Sequence, residues 1–238
     1  MTPAPTSQPG AAGPPDLTPV TRAQTTPPLK GKGQRTRRKL LEAAEEVLGV
    51  HGYHDASIVK ITEVAGVAQG TFYLYFSSKK QIFDEVVADL NQQVRSAMSD
   101  AARGATTRLE AERLGFAGFF RFTAEHPALY RVIRQAEFVS PNALRSHYET
   151  IVENYAPLLS DAMAHGEVSA GDPLVLAWSL IAVGEAIGMR WILWNEANAV
   201  PADVFEEMMS IIARMLGGRT LASSDDNADS PLLGGGVA

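Results

Sequence analysis

The sequence predicts an all-α protein, and two observations carry that reading. Between about residues 35 and 216 nearly every segment repeats its apolar residues at helical spacing, and almost none alternates as a strand does. Residues that start and stop helices also punctuate the chain where those runs begin and end. The predicted helices span roughly 35–51, 58–65, 69–75, 79–102, 106–125, 128–137, 142–165, 173–197 and 202–216.

Each element has its own signals. In the first helix Leu40, Leu41, Ala44, Val47 and Leu48 form a buried face, and Gly52 supplies the stop. Ser57 caps the second, whose Ile58, Ile61, Val64 and Ala65 are expected to face inward. A turn at Gly66-Val67 leads into the third, in which Val67 and Phe72 are core. Ser78 caps the fourth. Pro127 and Pro141 open the sixth and seventh, and Asp172-Pro173 opens the eighth. Pro157 predicts a kink or break within the seventh.

Two short helices joined by a Gly-containing turn form a helix-turn-helix, whose second helix enters the DNA major groove. Gln69, Thr71 and Tyr73 are expected on its outward face, with Gly70 allowing close backbone approach. Gln pairs bidentately with adenine, and Thr hydrogen-bonds or touches a thymine methyl. Tyr73 and Tyr75 are expected at phosphates, as are Ser57 at its helix start and Lys79 at the next. Lys30, Lys32, Arg35, Arg37, Arg38 and Lys39 precede the first apolar face with no acid among residues 30–39. Arg35, Thr36 and Arg37 are therefore expected to touch phosphate or the minor groove.

The 238 residues carry a net charge of −6, which fits a DNA reader only after division along the chain. Residues 30–82 hold nine Lys/Arg against five Asp/Glu, whereas residues 83–238 hold eleven against twenty-one. The basic share would meet phosphate, and the acidic remainder would keep the rest of the protein off DNA. With 45 % apolar residues a sizeable core can form. The absence of cysteine excludes disulfides and thiolate metal sites and fits a cytoplasmic location. No uninterrupted apolar run reaches the ~18 residues of a membrane span, so no membrane partner is expected. His51 and His54 lack adjoining ligands, no nucleophile elbow or phosphate loop occurs, and neither metal, cofactor nor enzymatic activity is expected.

The run Ala65-Gly-Val-Ala-Gln-Gly-Thr-Phe-Tyr-Leu-Tyr-Phe-Ser-Ser-Lys79 resembles the recognition-helix signature of the TetR/AcrR family of transcriptional regulators. With residues 35–52 and 82–90 the resemblance covers about 35–90. Ala68 departs from the usual capping Ser, which weakens one cap by about 1 kcal/mol; Lys80 stands where Glu is common and adds positive charge near DNA. Residues 1–33, with many Pro, Thr, Gly and Ala and no periodic apolar pattern, are expected to be a disordered extension. The resemblance implies a helix-turn-helix DNA-binding domain over 34–82 and a helical effector-binding and dimerisation domain over 83–217. A disordered tail over 218–238 follows. Ala68 joins Gln69, Gly70 and Thr71 in the implied DNA-contacting set. The resemblance also implies a homodimer on a palindromic double-stranded operator, with the last two long helices forming a four-helix bundle.

The eighth helix is apolar on most sides, hence expected to be buried, and Phe205, Met208, Met209, Ile211, Ile212 and Leu216 give the last a matching stripe. An aromatic set in the middle helices suggests an effector pocket: Phe119, Phe122, Tyr130, Phe138, Tyr155, Trp178 and Met189, with Arg134 and Glu185 as interior polar groups. Glu185 is either a structural salt bridge or a group that orients ligand. Residues 125–138 and 185–194 resemble relatives tied to fatty-acid or aromatic-acid catabolism, which implies acyl-CoA or another aliphatic or aromatic small molecule as effector. The expected function is a ligand-released repressor; the alternative is an effector-independent regulator whose pocket is filled by its own Phe and Trp side chains.

Overall fold

The computed structural model describes residues 31–195 and 198–217. The extension and tail expected to be disordered lie outside the described residues, except that Lys32 and Gly33 already belong to the first helix. Nine α-helices follow in order among the described residues: α1 Lys32–Asp55, α2 Ile58–Ala65, α3 Gln69–Phe72, α4 Lys79–Ala101, α5 Arg108–Glu125, α6 Ala128–Val139, α7 Pro141–Ala164, α8 Pro173–Gly188 and α9 Ala202–Met215. The fold is all-α, as the periodicity predicts.

Differences from expectation have local causes. Gly52 interrupts the helical backbone of α1, as expected of the stop: at φ 74 and ψ 168, a conformation open to glycine, it makes a kink, and one further turn beyond it runs on to Asp55. α5 starts at Arg108 because Thr107 caps it, its hydroxyl accepting from Glu110 N–H at 3.2 Å. Pro157 does not break α7, which runs continuously from Pro141 to Ala164; Pro157 and Glu153, whose carbonyl loses its helical partner to the proline, are both exposed. α8 ends at Gly188 and passes into a π-helical turn over Met189–Leu193, in which Trp194 N–H reaches Met189 O at 3.1 Å. Ser57, Ser78 and Asp172 cap α2, α4 and α8 as expected.

The first core joins α1, α2, α3 and the front half of α4 to α6. Leu40, Leu48, Ile61, Phe72, Phe76, Ile82 and Phe83 sit in it with Leu129, Val132 and Ala136. Val64, expected inside, is exposed, and Thr62 occupies the buried position on α2 instead, its hydroxyl donating to Val59 O at 2.9 Å. A second core lies between α5, α7, α8 and α9, around Phe116, Phe120, Leu159, Leu180, Met208 and Ile212. α8 is not buried on all sides: Leu174, Val175 and Trp178 are exposed. The helical run Pro173–Leu193 is long and apolar enough to cross a membrane by length and composition alone, but Glu185 and Arg190 interrupt it and it packs on α7.

Candidate DNA-reading face and effector cavity

Phe72 and Phe76, both essentially inaccessible, fasten the α3 segment to the first core. With those anchors in place, Ala68, Gln69, Gly70, Tyr73 and Leu74 stand exposed together, and Thr71 and Tyr75 are half-buried. Gly66, at φ 65 and ψ 39, makes the turn, and Val67 N–H returns to Thr62 O at 3.0 Å. Ala68 provides no side-chain cap, and the regular helix lasts only to Phe72 rather than to residue 75. A Cβ on Gly70 would meet nothing within 4 Å, so packing within the protein does not require glycine there. Leu74, 74 % exposed, is a large apolar residue on this surface that the sequence reading left out; its signal was its place two residues from each of the buried anchors.

The cations around this face divide into two groups. Arg35 and Lys39 are exposed on α1, and Thr36 bonds back to Lys32 O at 3.1 Å. Arg37 pairs with Glu85 and lies over the Phe76 ring, and Arg38 forks onto Asp89 at 2.8 and 2.9 Å. Lys79, expected at a phosphate, is engaged elsewhere: its ammonium donates to the carbonyls of Tyr53 at 2.7 Å and Ala56 at 2.8 Å and sits over the Tyr53 ring. It closes the C-terminal end of α1, where carbonyls lack helical partners. Lys80, expected to add charge near DNA, bridges Asp84 and Ser140, each at 2.8 Å.

A cavity of about 530 Å³ lies among α4, α5, α6, α7 and α8. Of the residues expected in a pocket, Phe119, Tyr130, Tyr155 and Glu185 line it. The other five do not. Phe122 stacks on His126 at 4.2 Å; Arg134 points Nη1 at Met189 Sδ, 2.9 Å away; Phe138 is exposed; Trp178 lies outside, its ring 5.5 Å from that of Tyr148. Helical spacing cannot separate these sets, because it does not say which neighbouring helix each apolar face meets. Arg190, in the π-helical turn after α8, is exposed over Trp191.

The polar groups of the cavity form small networks. Tyr148 Oη donates to Glu185 Oε2 at 3.0 Å, and burial holds the Glu185 carboxyl above the usual range. Asn91 Nδ2 reaches His147 Nδ1 at 2.9 Å and its carbonyl at 2.7 Å, while Arg95 Nε donates to Asn91 Oδ1 at 2.7 Å. Burial first, and then Arg95, lower the His147 pKa to about 4. Glu112, Arg108 and Tyr155 make a third group, of which the sequence reading had Tyr155 but missed Arg108 and Glu112, although those two stand at the i, i+4 spacing of a helical pair.

α6 joins the two regions. Its Leu129, Tyr130 and Ile133 face the cavity. Its other side holds the end of α1: Arg131 donates to Gly49 O at 3.0 Å, and Gln135 Oε1 accepts from Tyr53 N–H beside the Gly52 kink. A Cβ on Gly49 would stand 2.7 Å from that of Ala128, so the two helices touch at backbone distance.

A sequence profile described as "Bacterial regulatory proteins, tetR family" matches residues 40–86. The uncharacterized HTH-type transcriptional regulator YdgC of Bacillus subtilis is 45 % identical over 67 residues, 28 % of this chain and 34 % of that protein, so that match spans about a third of the relative's length. The fatty acid metabolism regulator protein of B. subtilis is 29 % identical over 148 residues, 60 % of this chain and 76 % of that protein. In fold, the chain superposes with a TM-score of 0.64 on the transcriptional regulator FadR of B. subtilis, solved in complex with stearoyl-CoA, at 22 % identity over 77 % of this chain and 99 % of that one.

Proposed function

The chain belongs to the TetR/AcrR family of transcriptional regulators, and on that footing we propose that it is a ligand-released repressor which binds a palindromic operator as a homodimer in the cytoplasm. The observation that carries the reading is the exposed surface at Ala68, Gln69, Gly70, Tyr73 and Leu74, held by two buried phenylalanines beside the exposed cations of α1. In this proposal Gln69 and Thr71 read base edges, Tyr73 and Tyr75 contact the backbone, and Gly70 lets the α3 backbone approach DNA closely. Ser57 and the start of α1, from Arg35 to Arg37, contribute phosphate contacts.

The apolar side of α8 supports the dimer. Val175, Trp178, Ala182 and Ala186 recur at helical spacing on the exposed surface, and a groove of about 480 Å³ beside them is floored by Val183, Ile187, Val204 and Ile211. A second copy would cover this surface by two-fold symmetry. Two recognition segments held ~34–36 Å apart would then reach successive major grooves.

The effector is a mainly apolar small molecule in the 530 Å³ cavity, within the ordinary size of ligand sites. That space is not filled by the chain's own Phe and Trp side chains, which favours an effector-responsive regulator over a constitutive one. The stearoyl-CoA of the B. subtilis structure is one example of such a ligand. Here Arg131 and Arg134 are engaged on α1 and at Met189, so this chain would accommodate the acyl part of such a molecule more readily than its anionic part. Effector binding shifts the population toward a dimer of different spacing; a ligand with equal affinity for both forms would have no effect.

Selection of bound fragments from a random DNA pool at near-physiological salt tests the reading. An enriched inverted repeat supports it. Purely salt-sensitive binding with no enriched sequence would favour an architectural protein.

A further inference from the structure

One wall of the cavity carries two donors that the chain itself leaves unused. Arg95 Nε–H donates to Asn91 Oδ1 at 2.7 Å, and Asn91 Nδ2 donates to the His147 carbonyl at 2.7 Å. An arginine nitrogen only donates and a carbonyl only accepts, so these two bonds fix the orientation of the amide. The second Nδ2 proton then meets His147 Nδ1, 2.9 Å away, and that nitrogen accepts. Burial first, and then Arg95, keep the ring neutral with a pKa of about 4, and a neutral ring whose Nδ1 accepts carries its proton on Nε2. His147 lines the cavity, and its Nε2–H has no hydrogen-bond partner among the described residues. Unlike Arg108 Nε and Glu112 Oε1, which are sealed against each other, His147 Nε2 keeps accessible surface. The terminal nitrogens of Arg95, half-buried in the same lining, are also reachable and have neither an ion pair nor a hydrogen-bond partner among the described residues.

The charges of the lining single out Arg95. Arg108 and Glu112 form an ion pair within the wall. Glu185 accepts from Tyr148 Oη and feels the charge of Arg134. Arg95 is left as the cation of the lining without an acidic partner among the described residues. It stands one helical turn from Ser99, which with Asn154 and Leu158 forms the exposed part of the lining. Phe116, Phe119, Ile133 and Ile181 supply apolar surface for a chain or ring. A cation near the mouth and an apolar interior suit an amphiphile with one negative charge, whose head keeps part of its hydration while its body is buried.

We propose that the effector is a monocarboxylic acid whose carboxylate accepts from His147 Nε2–H and from the terminal N–H groups of Arg95, and whose aliphatic or aromatic part fills the cavity. This rests on the reading of the cavity as the effector site. Hydrogen bonds to an ionised acceptor are the strong ones, and here both donors are already held in place by Asn91. An ester offers His147 an acceptor but brings Arg95 no counter-charge. An ammonium group opposes Arg95 and has only Glu185 to meet. Several negative charges, as on a phosphorylated carrier, exceed what one arginine neutralises.

The test is calorimetric titration of the full-length protein with three probes of one chain length, each below its micelle concentration: decanoate, methyl decanoate and decylammonium. Decanoate is expected to bind at least about tenfold more tightly than either of the others. In Arg95→Met, which keeps an apolar stem and removes the charge, decanoate falls to about the affinity of the ester, and the ester still binds. In NMR spectra of protein labelled in its histidine rings, the Nε2–H signal of His147 moves downfield on saturation with decanoate. Equal affinity of decanoate and its ester, tightest binding of decylammonium, an Arg95→Met protein that keeps the preference, or an unmoved Nε2–H signal overturns the inference and leaves the effector-site reading standing. Binding of none of the three overturns both. The ranking with the unmodified protein and the histidine signal decide the matter if Arg95→Met does not fold.

Discussion

Lys79 bears the charge expected of a phosphate contact, but its ammonium is surrounded by the carbonyls that end α1. Its replacement therefore acts on stability. Lys79→Met is expected to lower the unfolding free energy by about 1.5–3 kcal/mol, the range for hydrogen bonds to a charged donor, measured as a shift in the urea midpoint at unchanged slope. It leaves the salt dependence of DNA binding close to that of the parent. Gln69→Ala and Thr71→Ala behave in the opposite way, leaving stability within about 0.5 kcal/mol and narrowing the ratio of specific to random-sequence affinity. A change in salt slope with Lys79→Met would return that residue to the DNA contacts.

His147 makes a second residue-scale case, because its ring is buried in the neutral form. Its folded pKa of about 4 lies below the ordinary 6.5, so the unfolded chain binds the extra proton first as pH falls. Its contribution to stability is complete above pH 6.5 and is lost progressively down to pH 4, by about 3 kcal/mol. His147→Gln is expected to flatten the stability curve over that window in thermal or urea unfolding. A curve as steep as the parent's would assign the slope to other groups.

At the scale of elements, α6 is the part that, in the proposed function, carries a ligand's effect to the helix-turn-helix. It presents Tyr130 and Ile133 to the cavity and Arg131 and Gln135 to α1, so a small displacement on one side is felt on the other. Gln135 holds the amide of Tyr53 next to the non-helical Gly52, the one irregular residue inside α1. Gln135→Ala is expected to leave effector affinity within about twofold and to reduce the effector's weakening of operator binding by several-fold, a coupling change of about 1 kcal/mol. Titrating effector against a labelled operator measures both quantities; undiminished coupling would remove this contact from the path.

For the whole molecule, the cores account for a stable chain but leave the outer side of α8 uncovered. Val175 is 62 % exposed and Trp178 46 % exposed, which is unusual for a helix of this composition. Val175→Glu is expected to give a folded monomer by light scattering with operator affinity reduced by two orders of magnitude or more, since one half-site then binds alone. A dimer of unchanged affinity would locate self-association elsewhere.

By itself the sequence determined the helical class, most helix starts and the place of the helix-turn-helix segment. These are properties of local physics: period 3.6, the capping of orphan N–H groups by Ser57 and Ser78, and the turn at Gly66 act within a few residues. It also gave four of the cavity-lining residues, Phe119, Tyr130, Tyr155 and Glu185, but without separating them from the five that lie elsewhere. Only the tertiary structure decided that Lys79 belongs to α1's end, that Phe138 and Trp178 lie outside the cavity, and that the ion pair of Arg108 and Glu112 stands in its wall against Tyr155. A side chain's role in those cases depends on which neighbour arrives from 20 to 80 residues away. Charge and apolarity alone do not encode that arrival.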